Sequence, residues 1–486
     1  RDRYGSATEV TDALGKKAYS YFSSMGRQYF STSDAGGWQK SWMTLSSPTC
    51  PQGTAYVAQS MGADGSESQQ CHDKIGRPIR KLAKGFDGGW VASDTQYDEL
   101  GRVTQRSEPY SAGGYASFWT KITDYDLLGR PTSIEAPDGS GSSKGYTGLS
   151  ETETNAHGQA TTKIYNSLGE VIKVTDNALS STTYVHDAQG QLLSMSDSDG
   201  NTTTMTYDAL GRKLSMADPD KGGWTYRYNA FGELVFQQDA KGQTSTIVYD
   251  RLGRKTQRTD TGDSGSEVTR WAYDSAAQGM GQLANVSNGD GYSLTPAYDG
   301  FGRNHQTTTT LPGAGTFTER QTFDHLGRPF QRFDAANSQQ SNRHRGTQNI
   351  YNSAGYASGV VDARYRNGQP ITVYQTIKAT DVRGNATWTE QGSGVISTAK
   401  TYHAATGLLH TVNSSSSSWP TELQNLTYNW DSVGNLENRS EQSGSKNLYE
   451  AFTYDNMNRL TAAGNTSVNY DNLGNITRKS DVGAYS

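Results

Sequence analysis

A short motif, Tyr-Asp/Asn-x-Leu/Phe-Gly, recurs along the chain and constrains its fold more than any other feature. In the middle of the chain the motif begins at residues 165, 186, 207, 228 and 249, where the copy at 186 is the variant HDAQG, so successive copies are 21 residues apart. Two strands of about six residues and two tight turns fill such an interval. Each repeat is therefore predicted to be a β-hairpin, and the chain is predicted to be all-β.

The residue types within the motif indicate a turn. The Asp or Asn after Tyr can hydrogen-bond the backbone two residues on, and Gly can adopt the positive φ that closes a turn with a bulge. Before Tyr228, Trp224 and Tyr226 alternate with polar residues, which is typical of a half-buried strand. A second type of turn, found at 196–201 and 239–243, lies between the motifs and is called here a return turn.

The repeats are 21 to 28 residues long, and they are numerous. A twisted open sheet rarely exceeds about ten strands, so a sheet of this many hairpins is expected to curl, spiral or wrap into a shell. The residues to which this pattern assigns a structural role are Tyr97, Gly101, Tyr125, Gly129, Tyr165, Gly169, Tyr207, Asp208, Gly211, Tyr228, Gly232, Tyr249, Asp250, Gly253, Tyr298, Gly302, Tyr470 and Gly474.

The composition at first resembles that of a disordered chain, with a mean hydropathy of −0.77. However, 29 tyrosines, 9 tryptophans and a net charge of only −5 indicate a polar fold with a tyrosine core. The 44 basic residues are balanced by 49 acidic ones, so nucleic acid is not expected as a partner. Without a run of about 18 apolar residues, direct membrane insertion is not expected either.

The hexapeptides YDELGR (97–102), YDLLGR (125–130), YDALGR (207–212) and YDRLGR (249–254) resemble the RHS or YD-repeat family. This family includes bacterial polymorphic toxins, the cocoon-forming subunits of insecticidal toxin complexes, and the teneurins. The resemblance implies a strip of β-hairpins that spirals into a hollow shell. It also implies two partners: a toxin cargo of the same or a partner polypeptide, and the remaining parts of the shell.

The resemblance extends over essentially the whole chain and implies one continuous repeat domain. We divide it into divergent N-terminal repeats (1–96), regular YD repeats (97–330) and divergent C-terminal repeats (331–486). The chain begins without Met and ends just after a motif, so we expect it to be a fragment of a larger exported protein, secreted or at the cell surface. Its export signal would then lie outside this sequence.

The paired Asp-Pro-x-Gly motifs that mark the self-cleaving core of bacterial RHS proteins do not occur here. The single Asp-Pro, at Asp218, lacks the glycine. The sequence also lacks a Gly-x-Ser-x-Gly elbow, a CxxC pair and an i, i+4 pair of histidines. We therefore expect a non-enzymatic chain without catalytic, cofactor or metal residues, although a larger parent could cleave itself elsewhere.

Several local patterns have two interpretations. The acidic stretch 197–201 faintly resembles a calcium loop, but its glycine is fourth rather than sixth, which favours a return turn. Asp208 and Asp250 are expected to cap turns while the arginines that follow remain solvated. The serine run 413–419 is expected to be a loop. The motif tyrosines are expected to pack successive hairpins together. The alternative is that they stack on carbohydrate in an adhesion protein, and the three Gly-Gly-Trp stretches would favour that alternative.

Cys50 and Cys71 are the two cysteines of the chain, and 21 residues, one repeat length, separate them. This separation could place them on neighbouring elements within disulfide reach, and such a bridge would stabilise the fold by about 3 kcal/mol. The sequence predicts a disulfide, which would favour an exported protein. The alternative is a pair of buried free thiols.

Overall fold

The computed structural model describes residues 5–337, 345–366, 368–417 and 419–485. In these ranges the chain forms 45 β-strands and no helix. The first 15 strands are β1 Glu9–Thr11, β2 Lys17–Phe22, β3 Gln28–Ser33, β4 Trp38–Thr44, β5 Tyr56–Gly62, β6 Glu67–His72, β7 Pro78–Lys84, β8 Trp90–Tyr97, β9 Val103–Ser107, β10 Tyr110–Ser111, β11 Trp119–Tyr125, β12 Pro131–Glu135, β13 Gly141–Thr147, β14 Ser150–Thr154 and β15 Ala160–Tyr165.

The next 15 strands are β16 Val171–Thr175, β17 Ser181–His186, β18 Leu192–Ser196, β19 Thr202–Tyr207, β20 Lys213–Asp218, β21 Gly222–Tyr228, β22 Leu234–Gln238, β23 Thr244–Tyr249, β24 Lys255–Gly262, β25 Gly265–Tyr273, β26 Leu283–Asn288, β27 Ser293–Tyr298, β28 Asn304–Leu311, β29 Gly315–Phe323 and β30 Pro329–Asn337. The last are β31 Gly346–Tyr351, β32 Ala357–Asp362, β33 Tyr365–Arg366, β34 Gln369–Pro370, β35 Val373–Thr380, β36 Ala386–Gln391, β37 Ile396–Tyr402, β38 Leu409–Ser416, β39 Trp419–Trp430, β40 Leu436–Ser443, β41 Lys446–Tyr454, β42 Leu460–Ala463, β43 Thr466–Tyr470, β44 Ile476–Lys479 and β45 Gly483–Ala484.

One antiparallel sheet contains 43 of these strands, and almost every strand pairs with its neighbours in the chain. The exceptions are local: β10 pairs with β8, so that β9 pairs with β11, and the small hairpin β33–β34 stands apart while β32 pairs with β35. In the described residues β1 pairs only with β2, and β45 only with β44. The predicted all-β ribbon of hairpins is confirmed.

The motif turns, called here YD turns, have the geometry that their residues predict. Between β19 and β20, the Asp208 N–H donates to the Arg212 carbonyl (3.0 Å), and the Gly211 N–H donates to the Asp208 carbonyl (3.0 Å). Gly211 has a φ of 80°, and the register shifts by a bulge between Thr206 and Tyr207. In the variant motif YDNMN, Asn458 takes the glycine position with a φ of 58°.

The serine run is a correction to the sequence analysis. Residues 413–416 belong to β38 rather than to a loop, and they pair with both β37 and β39. The Ser414 hydroxyl is buried and lies 3.0 Å from that of Thr398, so small hydroxyl side chains here form a cross-strand pair. Residue 418 lies outside the described residues.

The ribbon has two different edges. Hairpin connections alternate between the two ends of antiparallel strands, so YD turns collect along one edge and return turns along the other. We call these the YD edge and the return edge. They matter because they are the surfaces through which the ribbon meets itself.

The ribbon coils, and residues 266 to 299 positions apart meet edge to edge. The Asn352 side chain donates to the Phe86 carbonyl (2.7 Å), and the Asn458 side chain donates to Gln159 (2.8 Å). In each pair a YD turn of the later segment contacts a return turn of the earlier one. We therefore distinguish a first coil, residues 5–290, from a second coil, residues 291–485, which stacks with its YD edge on the return edge of the first.

Stacking of the coils generates a prediction for a matched pair of return-turn glycines in the first coil. Gly65 and Gly200 have nearly equal φ values, +87° and +86°, so alanine would be strained similarly at both sites by about 1–2 kcal/mol. A Cβ on Gly65 would also overlap the Ser353 carbonyl of the second coil, whereas a Cβ on Gly200 would meet open space. We expect Gly65→Ala to lower the free energy of unfolding by about 1–3 kcal/mol more than Gly200→Ala.

Chemical denaturation followed by circular dichroism measures this difference, and Gly200→Ala is its control. Hydrogen exchange should additionally show faster exchange around residues 351–356 in Gly65→Ala alone. Equal effects of the two substitutions would mean that the coils are not in contact at this position.

Candidate functional site

The YD turn is held by an aspartate that accepts three hydrogen bonds. Oδ1 of Asp208 accepts the backbone N–H groups of Leu210 (2.9 Å) and Arg212 (2.9 Å), and its Oδ2 accepts the Arg212 Nε–H (2.6 Å). Asp250 makes the same contacts with Leu252 and Arg254 at 2.9, 3.0 and 2.7 Å. The Arg212 and Arg254 backbone N–H groups, followed by their guanidinium groups, lower the pKa of these carboxyls. Both aspartates thus cap their turns as predicted.

The motif arginine was predicted to be solvated. This prediction is wrong, because the arginine covers an aromatic ring of a later strand. The Arg212 guanidinium lies 5.2 Å from the centroid of the Tyr228 ring and is 26% exposed. Such cation–π contacts contribute about 0.5–1 kcal/mol at exposed sites and more when they are desolvated. The same contact joins Arg77 to Tyr97, Arg102 to Tyr125, Arg130 to Tyr146, Arg254 to Tyr273, Arg303 to Phe323, Arg328 to Tyr351 and Arg459 to Tyr470.

The motif tyrosines bind back to earlier strands. The Tyr249 hydroxyl donates to the Leu234 carbonyl (2.9 Å), and Tyr298 and Tyr470 donate in the same way to the strand before them (2.7 and 2.9 Å). Tyr97 and Tyr125 also donate to backbone carbonyls, of Pro78 and Val103. Tyr165 instead donates to Glu151 (3.2 Å), and Tyr207 contacts the Met205 sulfur (3.7 Å). Burial raises the pKa of the Tyr249 and Tyr298 phenols.

Together, these contacts form a ladder along the YD edge, in which each repeat fixes the next one. The glycines predicted for the motif, Gly101, Gly129, Gly169, Gly211, Gly232, Gly253, Gly302 and Gly474, all have φ between 72° and 93°. Most aromatic rings of the ladder are covered by guanidinium groups or have hydroxyls bonded to backbone carbonyls, and Tyr165 and Tyr207 contact side chains instead. They are therefore not arranged as exposed platforms for sugars.

A pairing rule within the YD turn escaped the sequence analysis. Where the second motif residue is Asn instead of Asp, the residue after glycine can be Glu: the Asn166 amide donates to Glu170 (2.7 Å), and the Asn229 amide donates to Glu233 (2.5 Å). The donor and the acceptor have exchanged places relative to the Asp208–Arg212 pair. The sequence contains this signal, because the charged combination at these two positions is either Asp with Arg or Asn with Glu.

Cys50 and Cys71 form a disulfide, with their Cα atoms 5.8 Å apart. Cys71 is fully buried and packs with Leu82 and Ala92 of β7 and β8, while Cys50 lies in the loop between β4 and β5. The bridge thus fastens this loop onto the face of the sheet. Trp90 and Tyr110 pack against the same cluster.

A charged network lies beside the disulfide. The Arg80 guanidinium donates to both carboxylate oxygens of Asp94 (2.6 and 2.8 Å) and to the Thr49 carbonyl next to Cys50 (2.9 Å). The Tyr110 hydroxyl also donates to Asp94 (2.8 Å), and burial followed by this carboxylate raises the pKa of Tyr110 to about 12. Arg80 therefore ties the disulfide loop to β8.

In the described ranges, no group of three or more His, Cys, Asp or Glu side chains is arranged to hold a metal ion. At the acidic stretch 197–201, Oδ1 of Asp197 accepts the backbone N–H groups of Asp199 (3.0 Å) and Asn201 (2.9 Å), as in a return turn. None of the described residues forms a helix that is long and apolar enough to cross a membrane.

This architecture is similar to that of proteins of known structure. Residues 186–222 match the model of the RHS repeat family. Among curated protein sequences, none matches the chain. Crystal structures of TcdB2-TccC3-Cdc42 (15% identity, TM-score 0.82) and TcdB2-TccC3-TEV (14%, 0.83) each align with 98% of this chain and with 33% of their own. The Photorhabdus luminescens Tc holotoxin pore carrying a TccC3 mutation (15%, 0.81) aligns with all of this chain and 33% of its own.

Residues 186–222 are thus similar to the RHS-repeat family, and the fold of the chain is that of these Tc toxin structures. It spans about a third of the length of the solved structures that it matches. At 14–15% identity, the likeness concerns the fold.

The pairing rule predicts a rescue. Asp208→Asn should destabilise its turn because Arg212 loses its carboxylate, and Arg212→Glu alone should destabilise it more because two carboxylates then face each other. The double variant recreates the Asn229–Glu233 pair and should recover most of the loss. It should not reach the wild type, because the contact with Tyr228 is gone.

Hydrogen exchange of residues 202–218, with denaturation midpoints for the two single variants and the double variant, completes a double-mutant cycle. Additive effects of the two substitutions would contradict the pairing rule.

The disulfide generates a further prediction. The chain-entropy model gives about 3 kcal/mol for a bridge across this separation, so reduction should lower the stability of β5–β8 by about that amount and expose the loop 45–54 to proteases. The Cys50→Ser/Cys71→Ser variant should behave like the reduced wild type and should not respond to reductant. Unchanged stability and protease resistance after complete reduction, verified by thiol titration, would show that the charged network around Arg80 holds the loop without the bridge.

Proposed function

We propose that this chain is a segment of the wall of a hollow shell in a bacterial RHS toxin, and that the shell encloses a toxin cargo made by the same or a partner polypeptide. The observation that carries the proposal is the coil itself: one sheet of 43 strands returns to meet its own edge after fewer than 300 residues. A ribbon that closes laterally in this way encloses a space.

The dimensions of that space fit a polypeptide segment. One coil contains about 25 strands at about 4.8 Å each, which corresponds to a circumference of roughly 120 Å and a width of roughly 40 Å. After a side-chain layer of about 5 Å on the inner face, a lumen roughly 30 Å wide remains. A compact domain of about 100 residues has a radius of gyration of about 13 Å, so the lumen is about as wide as a compact or partly folded chain of that size.

The proposed mechanism is physical rather than enzymatic. A largely polar wall has few extended apolar patches to which an unfolded cargo could bind tightly, so the cargo would be confined more than bound. Confinement would keep it from proteases and from the producing cell until the shell opens. Export from the cell, and the division into the segments 1–96, 97–330 and 331–486, remain predictions within this proposal.

The carbohydrate-binding alternative has less support. Its candidate rings are the motif aromatics, and in the described residues these are occupied by the ladder along the YD edge, as Tyr228 is by Arg212 and Tyr249 by the Leu234 carbonyl. A saturable interaction of the purified chain with choline or glucan polymers would revive this alternative.

Limited proteolysis tests enclosure directly, on the polypeptide that joins this chain to its cargo segment. With the β-sheet intact, the cargo should survive protease concentrations that degrade it once denaturant has unfolded the repeats. Mass spectrometry of the fragments identifies which segment is cut first. Immediate digestion of the cargo segment beside intact repeats would refute the shell and favour a scaffold for display or adhesion.

A further inference from the structure

The contact between the two coils, called here the seam, is not supported in the same way along its length. In one part, the proximal seam, residues 84–108 of the first coil meet residues 352–383 of the second. In another part, the distal seam, residues 157–177 meet residues 431–458. Both sides of each part are formed by this chain.

Two elements of the first coil carry the proximal seam. The return turn between β7 and β8 begins at Lys84, and the Tyr356 hydroxyl donates to the Lys84 carbonyl (2.7 Å). The bend between β9 and β10 contains Glu108, whose carboxylate pairs with the Arg383 guanidinium (3.0 Å). Because hydrogen bonds weaken steeply when donor and acceptor are misaligned, both elements must hold their positions for the seam to stay closed.

Both elements pack on the buried cluster that contains the disulfide. Trp90 packs against the Cys71 cluster, and the Lys84 ammonium lies over the Trp90 ring (4.6 Å). Tyr110, two residues after Glu108, packs against the same cluster. The bridge keeps the disulfide loop on this cluster, so it fastens the base on which the proximal seam rests.

The distal seam has different support. It contains the hydrogen bond from the Asn458 side chain to Gln159 (2.8 Å) and the approach of the His157 ring to the Asp431 carboxylate (3.6 Å). None of these residues is among the described residues that pack on the Cys71 cluster. The distal seam is therefore an internal reference for any effect of the bridge.

We propose that the Cys50–Cys71 disulfide is a redox lock on the proximal seam. While the bridge is intact, the disulfide loop stays on the cluster and the proximal seam is closed. When a thiol such as glutathione reduces the bridge, the loop is released, the packing beneath both elements loosens, and the proximal seam opens while the distal seam stays closed. The lock does not depend on cargo enclosure, because it concerns only contacts within this chain.

The reduction consists of two thiol–disulfide exchanges. Cys50 is half-buried whereas Cys71 is fully buried, so the first thiolate attacks the Cys50 sulfur, forms a mixed disulfide there and releases the Cys71 thiolate. A second thiolate attacks the glutathione sulfur of the mixed disulfide and releases the Cys50 thiolate. Two glutathione thiols thus supply two electrons and two protons, and they leave as one oxidised glutathione.

Hydrogen exchange of the purified chain, before and after complete reduction at constant pH, tests the lock. Exchange of residues 351–356 and 381–385 should become about fivefold faster or more on reduction, while exchange of residues 455–459 should not change. The Cys50→Ser/Cys71→Ser variant should show the fast exchange without reductant. Equal acceleration in both parts would indicate general unfolding, and unchanged exchange in the proximal seam would uncouple it from the bridge; either result would overturn the lock.

Thermodynamic reciprocity supplies a second test, which a purely local role of the bridge would not meet. The variant Tyr356→Phe/Arg383→Gln weakens contacts that the lock assigns to the oxidised form alone. Its equilibrium constant for reduction by glutathione should therefore exceed that of the wild type by about fivefold or more. The control His157→Ala removes a contact of the distal seam, which persists in both forms, and should leave this constant unchanged.

Circular dichroism of the oxidised proteins checks that both variants are folded. An unchanged reduction constant in Tyr356→Phe/Arg383→Gln would overturn the lock. An equal increase in His157→Ala would overturn it as well, because the bridge would then respond to the stability of the whole ribbon rather than to the proximal seam.

Discussion

The structure depends on one constraint, the closure of a five-residue turn by a glycine with positive φ beneath a capping carboxylate. The turn reverses the direction of the chain. Its bulge shifts the strand register, so that the tyrosine before the turn pairs with the second residue after the glycine, as Tyr207 pairs with Lys213. The arginine that completes the cap then reaches the ring of a later strand. A single local interaction thus determines both the hairpin and its attachment to the next one, which is why the ribbon needs no central core.

A ribbon built in this way has stability that is mostly local. Each hairpin contacts its neighbours in the chain, and fully buried apolar side chains such as Val57 are few in the described residues. The first coil departs from this pattern at β5–β8, where the disulfide, the Cys71 cluster and the Arg80–Asp94 pair coincide. In this region covalent, apolar and ionic contacts hold the ribbon together, and the motif is less regular there than in residues 97–330.

The sequence predicted the features that depend on neighbours within one repeat and missed the contacts between residues further apart along the chain. The 21-residue period, the glycine conformations and the spacing of Cys50 and Cys71 all involve neighbours within one repeat, and each has a direct physical signature. The loop expected at the serine run was wrong because cross-strand pairing of small hydroxyl residues, such as Ser414 with Thr398, overrides a compositional bias. The solvated arginines were wrong because a cation–π contact depends on the approach of a later strand.

Stacking of the coils could not be predicted, since its period of 266 to 299 residues arises from sheet curvature accumulated over about 25 strands. Small changes in the twist of each hairpin would shift that period by whole repeats. The motif nevertheless accommodates such a shift, because most repeats present an apolar residue before the glycine at one edge, such as Leu210 or Ala354, and a similar turn backbone at the other. Lateral contact between coils is therefore a property of the repeat, and it does not require a specific contact for each pair of turns.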